Sequence, residues 1–515
     1  MTHQGAVVAA QYSQSSQASQ YSLTDLTTSL LIGSLVLLVA VAAVRISVRS
    51  GVPALLLFLA IGLGIGEAGF GIRFDSGSLT QVLGYAALIL ILAEGGLTTK
   101  WSGIRRSVGP AAVLSTVGVV VSVFVVGVAA RYVLDLSWTV ALLVGAILTS
   151  TDAAAVFSVL RTVPLPRRLS GLLEAESGFN DAPVVILVVA LAAQSVPGAE
   201  SHPWWMLLLE AVFELAGGTL IGLLVGRVGG LALHRLAGAS SGLFSIGVIA
   251  LTVLAYAVAA SAHTSGFIAC YLAALVLGNM GLPHRPAVHA FSSALGSLAQ
   301  IGLFVLLGLL ASPKLLLEQA GFALVVGLVL LLVARPMSVF VSLTPFRIPW
   351  RDQVFLSWAG LRGAVPVVLA TVPATLGSAG TEKIFPLVFV LVVIFTLVQA
   401  PTLPWVARRL GLTESVRQVE LSVESTPLEQ LGADVIQVTI GGDSRLHGVA
   451  VFELRLPQGA NVTLLVRDGK GSVPQPQTTL RHGDQLLIVA TAEVRHAAEE
   501  RVRAVDEGGR LAGWT

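Results

Sequence analysis

Thirteen apolar runs follow one another between Leu26 and Val406, at about 26–44, 52–70, 79–98, 110–131, 138–160, 170–194, 204–226, 242–261, 263–280, 290–311, 315–340, 353–375 and 384–406. Each is near the length of about 20 residues that a helix needs to cross a bilayer. They predict an all-α polytopic membrane unit over residues 26–409. Beyond Arg409 the pattern changes. Residues 410–431 read as a polar linker. Short runs at 435–440, 448–454, 462–466 and 485–490 then read as strands, with turn residues at Asp443, Asp468-Gly469 and Gly483-Asp484. Residues 492–505 have a helical pattern. The expectation is a small α/β domain over 432–506, with a tail at 507–515. Residues 1–25 are polar and rich in Gln and Ser, without the basic start of a secretory signal, and are expected to be a disordered tail.

Composition agrees with the pattern. Of the 515 residues, 55% are hydrophobic and 12% charged, and the mean hydropathy is +0.84. Soluble domains are about a quarter charged. The net charge of +2 gives no reason to expect a nucleic-acid partner; the placement of the basic residues is more informative. With the N-terminus outside, Arg45, Arg49, Lys100, Arg105, Arg106, Arg161, Arg167, Arg168, Arg227, Arg235, Arg285, Arg347, Arg351, Arg408 and Arg409 fall on one side. Arg73, Arg131, Lys314 and Lys383 fall on the other. The richer side is the cytoplasm. This predicts a multi-pass protein of the cell (inner) membrane, its C-terminal domain cytoplasmic. The single cysteine, Cys270, lies in an apolar run and reads as a core residue.

Polar residues inside the apolar runs single out a site. In Glu176-Ser177-Gly178-Phe179-Asn180-Asp181, helical spacing stacks Glu176 over Asn180 and Ser177 over Asp181. Each carboxylate at mid-bilayer costs roughly 2.5–3.5 kcal/mol, so two on one helix call for partners or an ion. Thr149-Ser150-Thr151-Asp152 in the fifth run predicts a locally opened helix. Gly360-Leu361-Arg362-Gly363-Ala364-Val365-Pro366 in the twelfth predicts another. Paired interruptions at corresponding places in two inverted repeats point to a transporter's binding site. A further carboxylate, Glu94, lies near the end of the third run. Asp181, Ser177 and Thr151 can offer oxygen ligands to a small monovalent cation. A carboxylate that holds either a proton or a cation, never both, couples the two fluxes by competition.

On these motifs the chain resembles the NhaP-type branch of the monovalent cation:proton antiporters over about residues 26–409. Its C-terminal part resembles a TrkA-type (RCK C-terminal) regulatory module over about 430–505, through Ser444-Arg445-Leu446-His447-Gly448, Leu456-Pro457, Val466-Arg467-Asp468-Gly469 and Leu480-Arg481-His482-Gly483-Asp484. The resemblance implies thirteen helices in two inverted repeats with interrupted crossing helices. It implies that Asp181 is the shared proton and cation site, with Ser177, Thr151 and Glu94 completing the ligands. Glu176 would pair with Arg362, and Asp152 and Asn180 would support the opened helix. The Asn180-Asp181 pair is similar to the electroneutral branch. Pairing of such a unit with this module implies potassium/proton exchange, exporting potassium, with sodium/proton exchange as the alternative. The resemblance also implies a homodimer in membrane lipid, no cofactor, and a small-molecule regulator at the C-terminal domain. The usual nucleotide-binding half of such regulators is absent, which speaks against NAD or ATP; some isolated modules of this kind bind a cyclic dinucleotide, so the resemblance leaves cyclic di-AMP as a candidate regulator.

Three other readings compete; one, a sensor that uses a degenerate exchanger as a receptor, is disfavoured by the intact Asp181. A regulated cation channel would carry a TVGYG-type filter, and the sequence has none. A membrane-embedded enzyme would carry HExxH or a second catalytic aspartate in motif context; neither occurs, so no enzyme is expected.

Overall fold

The computed structural model describes residues 23–50, 53–67, 69–71, 77–152, 165–198, 203–236, 241–412, 433–441, 444–467, 469–491 and 493–509. Residues 1–22 of the expected tail at 1–25, most of the 410–431 linker, the segment 153–164 and the turn residues Asp443 and Asp468 lie outside them; residues 23–25 are not tail but the start of a helix. The chain forms two compact units, one up to Thr413 and one from Glu414.

The first unit is helical. Among its described residues nine helices are long and apolar enough to cross a membrane, and four shorter apolar helices join them. Together they account for the thirteen apolar runs. In chain order they are α1 (Leu23–Ser50), α2 (Ala54–Ile65), α3 (Gly77–Thr98), α4 (Val108–Leu134), α5 (Trp138–Thr149), α6 (Arg167–Gln194), α7 (Trp204–Leu236), α8 (Ser241–Ser261), α9 (Gly266–Asn279), α10 (Arg285–Leu310) and α11 (Pro313–Phe346). The twelfth run is split into α12 (Trp350–Trp358) and α13 (Ala364–Leu376), and α14 is Ile384–Arg409.

The helix-bearing unit buries most of its apolar residues in one large core that reaches from Ala40 on α1 to Leu412, with smaller clusters around Phe244 and Ala255 on α8. α6 is enclosed, packing on α4, α5 and α9. By contrast α1 and α7 keep Leu31, Leu38, Leu209 and Phe213 outward, as lipid-facing helices do.

Two helices carry matching irregularities. α4 contains a π turn at Leu114–Gly118, and α11 contains one at Leu330–Ala334. The surrounding segments pack on each other. π turns are rare and concentrate at functional sites. They stand seven helices apart in the order, as do the two interrupted runs, which is the spacing of two repeats.

The second unit is a four-stranded antiparallel sheet in the order β1 (Ala433–Thr439), β4 (Gln485–Thr491), β2 (Ala460–Arg467), β3 (Lys470–Ser472). One helix, α15 (Arg495–Gly508), packs on β4. Its apolar face puts Ala498, Val502 and Val505 against Ile436, Val438, Leu486 and Ile488. The strand expected at 448–454 is instead a 3-10 turn at Val451–Leu454. The Glu453 carboxylate accepts the Ala450 N–H at 2.8 Å and so closes that turn. Gly448, at φ 79°, had already bent the chain. The short strand β3 was not expected; it pairs with β2 across a tight turn.

Candidate functional site

The two interrupted runs meet in the core. α5 ends at Thr149, and Ser150 to Asp152 continue without helical bonds. α12 ends at Trp358, with the Ala359 N–H closing its last turn on the Phe355 carbonyl, and Gly360 to Gly363 are likewise open. The breaks are tied directly: the Asp152 N–H donates to the Leu361 carbonyl at 2.9 Å. Breaking helices at this depth strands carbonyls and N–H groups, which side chains must satisfy.

Arg362 does so on one side. Its guanidinium donates to the Thr149 and Ser150 carbonyls at 2.7 and 2.8 Å. A cation therefore sits at the partly negative end of α5. Asp152 lies at the start of α13, so close over Gly363 that a Cβ there would fall 1.9 Å from a carboxylate oxygen. An anion thus faces the partly positive helix start, and only glycine leaves room for it.

α6 runs past this crossing. Asn180 donates to the Thr149 carbonyl at 3.2 Å and to Thr151 Oγ1 at 3.3 Å. The Ser177 hydroxyl donates to the Thr151 carbonyl at 3.1 Å. Asp181 Oδ1 accepts the Ser150 hydroxyl at 2.7 Å, and no cationic side chain pairs with it among the described residues. Glu176 differs. Both its oxygens are held by Arg335 on α11, at 2.5 and 2.9 Å, and both side chains are buried.

A cavity of about 360 Å³ runs along this face of α6. Its lining includes Asp181, Ser177, Thr151, Asp152 and Glu94, together with Glu174. It extends past Glu94 to Thr98, which is exposed at the end of α3 next to Lys100. The arrangement is a polar passage from one end of the bundle to a buried carboxylate at the helix crossing. Such a carboxylate, with hydroxyl and carbonyl oxygens around it, can bind a proton or a bare monovalent cation.

A model of the transmembrane sodium/hydrogen exchanger matches residues 34–409. The chain belongs to the sodium/hydrogen exchanger family. It is a multi-pass membrane protein of a family of transporters. A TrkA-C domain model matches residues 435–503 of the exchanger. Among curated relatives, the K(+)/H(+) antiporter NhaP of Alkalimonas amylolytica is 35% identical over 90% of this chain and 81% of its own length. The K(+)/H(+) antiporter NhaP2 of Shewanella oneidensis is 37% identical over 89% and 80%. The Na(+)/H(+) antiporter ApNhaP of Aphanothece halophytica is 30% identical over 70% of each chain. Among solved structures, the sodium proton antiporter MjNhaP1 of Methanocaldococcus jannaschii, at pH 8, superposes with a TM-score of 0.66. That match has 22% identity over 75% of this chain and 99% of the other, and shows a shared fold.

The exchanger corrects one expected pairing. Glu176 does not pair with Arg362; its partner is Arg335, and Arg362 bonds the two carbonyls of α5. The expected run at 315–340 stops five residues past Arg335, which on that count alone lies near a helix end. α11 runs on to Phe346, and its π turn ends immediately before Arg335. The guanidinium is thereby buried, with a Cβ at Gly360 only 2.7 Å from its Nε. Glu174 was not expected either. Its signal was available in the spacing: 174, 177 or 178, and 181 lie on one helical face. Gly178 on that face leaves room for the Tyr271 ring of α9, which a Cβ would approach to 2.2 Å.

Proposed function

We propose that this exchanger carries potassium out of the cell in electroneutral exchange for protons. The observation that carries the proposal is the contrast on α6. Glu176 is fully paired, whereas Asp181, at the inner end of the cavity, has one hydroxyl partner and no cationic partner among the described residues. Asp181 is the exchangeable site. Ser177, Thr151 and Glu94 offer further oxygens to the ion. Asp152, Asn180 and Arg362 hold the opened helices in place. The ion pair Glu176–Arg335 fixes α6 against α11.

Electroneutrality follows from a single site. A carboxylate loaded with one proton or one monovalent cation carries the same charge on each crossing, so a full cycle moves no net charge. Asn180 stands beside Asp181 where a second carboxylate would add a charge. Potassium is assigned on the K(+)/H(+) relatives at 35–37% identity over about nine-tenths of the chain. The basic residues favour an inner-membrane orientation with the C-terminal domain in the cytoplasm. The cavity end beside Lys100 is then its cytoplasmic mouth. We assign the protein a homodimeric state and its TrkA-C domain a small-molecule input, with cyclic di-AMP as the ligand to test.

The test uses everted vesicles from cells lacking their own antiporters and a dye that reports ΔpH. Potassium should dissipate ΔpH, and clamping the membrane potential should leave the rate unchanged. A response to sodium alone would replace potassium by sodium. A rate that follows the potential would contradict electroneutral exchange.

A further inference from the structure

A second cavity lies behind the site helix. It measures about 650 Å³ and is walled mainly by apolar side chains of α4, α6, α7 and α9. Along α7 its wall is Leu215, Thr219, Leu223 and Arg227, one face at four-residue spacing. Twelve residues of helix measure about 18 Å at 1.5 Å per residue. That is close to one leaflet, about half of a roughly 30 Å hydrocarbon core. The hydroxyls on the α4 wall are turned away: Thr116 donates to the Ala112 carbonyl and Ser115 to the Glu176 carbonyl.

The polar groups gather at one end. α7 and α9 run parallel in close contact, since a Cβ on Gly218 would meet Ser265, one on Gly222 would meet Ala269 and one on Gly226 would meet Ala273. This register sets Arg227 level with Ala274, more than one turn short of the end of α9 at Asn279, and both Arg227 and Asn279 line the slot. Asn279 accepts the Trp101 N–H and donates to the Thr99 carbonyl, so it is already satisfied. Arg227 is exposed and has no carboxylate partner among the described residues. Lys100, Arg105 and Arg106 flank Trp101 in the chain. The result is an apolar slot of leaflet length with a cationic mouth.

We infer that this slot holds an acyl chain of an acidic phospholipid from the surrounding bilayer, its phosphate on Arg227. An anionic head beside a basic mouth and a hydrocarbon chain along an apolar wall match the slot in charge and in length. Neutral lipid matches only the wall. The slot also reaches Phe179 and Pro183, which flank Asn180-Asp181 on α6. A lipid seated there bears on the far side of the helix that carries the ion site.

The test is photolabelling of the full-length protein in lipid nanodiscs. The probe is phosphatidylglycerol with a photoreactive group in its acyl chain, in a phosphatidylcholine background. Labels should map to peptides covering 215–227 and 268–280. Unlabelled phosphatidylglycerol should compete and extra phosphatidylcholine should not. Arg227→Gln should cut this labelling about fivefold, the effect of one basic residue at an anionic surface. Leu223→Trp, which fills the slot without touching the charge, should remove it. Labelling that phosphatidylcholine competes equally, or that neither variant changes, would overturn the assignment. So would loss of the label to inorganic phosphate. The readout is binding, so it stands apart from whether the transported cation is potassium.

Discussion

Two faces of α6, five residues apart, treat a carboxylate in opposite ways. On the face toward α11, Glu176 is gripped by a buried guanidinium through both oxygens. On the cavity face, Asp181 meets a single hydroxyl and open space. Both are charges in a nearly dry interior, where an unpaired ion is expensive. The first face meets that cost permanently with Arg335. On the proposed function, the second leaves it to be met by a proton or a cation. The structural acid and the proposed transport acid thus differ less in burial than in whether the protein supplies the countercharge.

The sharpest break of this comparison is to neutralise each acid in turn. Asp181→Asn should reduce cation/proton exchange to the level of empty vesicles while leaving the melting temperature close to wild type. Glu176→Gln should do the reverse in kind. It strands Arg335 in the core, and breaking such a buried pair costs about 3–5 kcal/mol. Thermal unfolding of the detergent-purified protein should show this loss, and Glu176→Met with Arg335→Met together should recover most of it. Recovery in that double variant would separate the charge imbalance from any need for the pair itself.

Arg362 is the next most sensitive position. Arg362→Met leaves the Thr149 and Ser150 carbonyls without their donor, a loss of about 2 kcal/mol for charge-assisted bonds. Stability should fall by less than in Glu176→Gln, with exchange falling alongside because the crossing is loosened. Ser150→Ala sharpens the comparison from the other side. It removes the one bond to Asp181, worth about 1 kcal/mol, and should change the apparent cation affinity about fivefold with little change in stability.

The smallest effect on transport lies in the C-terminal unit, which has its own version of the paired acid. Burial alone would raise the Asp484 carboxyl, but two bonds from Arg467, at 2.8 and 2.7 Å, and the Arg481 N–H hold it below the usual carboxylate range. A carboxyl lowered in the folded state adds stability above its ordinary range, which is lost as pH falls through the folded value. Hydrogen exchange of residues 485–491 should therefore lose protection on acidification. Arg467→Met should show part of that loss already at neutral pH, with exchange at the ion site unaltered.

Much of this was legible in the chain. Among the described residues the apolar runs located the membrane helices, because a bilayer calls for apolar stretches of about 20 residues. Polar residues stood out because each is costly there, so Asp181, Ser177, Thr151, Asp152 and Glu94 could be named before any contact was known. All five line one cavity. What could not be read was pairing. Arg335 and Arg362 are both single arginines in apolar surroundings, and the sequence does not say which meets Glu176. That choice depends on a π turn and on six further residues of α11, neither of which hydropathy records. In the second unit the same limit appeared at 448–454, where a short run suggested a strand and a local Glu453 bond made a turn.

The most direct test of the central claim asks whether potassium and the proton share Asp181. Purified protein in a weakly buffered solution should release protons as potassium is added, because the ligand must give up its proton to bind the ion. Proton release that rises and saturates with potassium in the wild type and in Ser150→Ala, and is absent in Asp181→Asn, is the predicted result. Undiminished release from Asp181→Asn would place the exchangeable proton elsewhere and contradict the account.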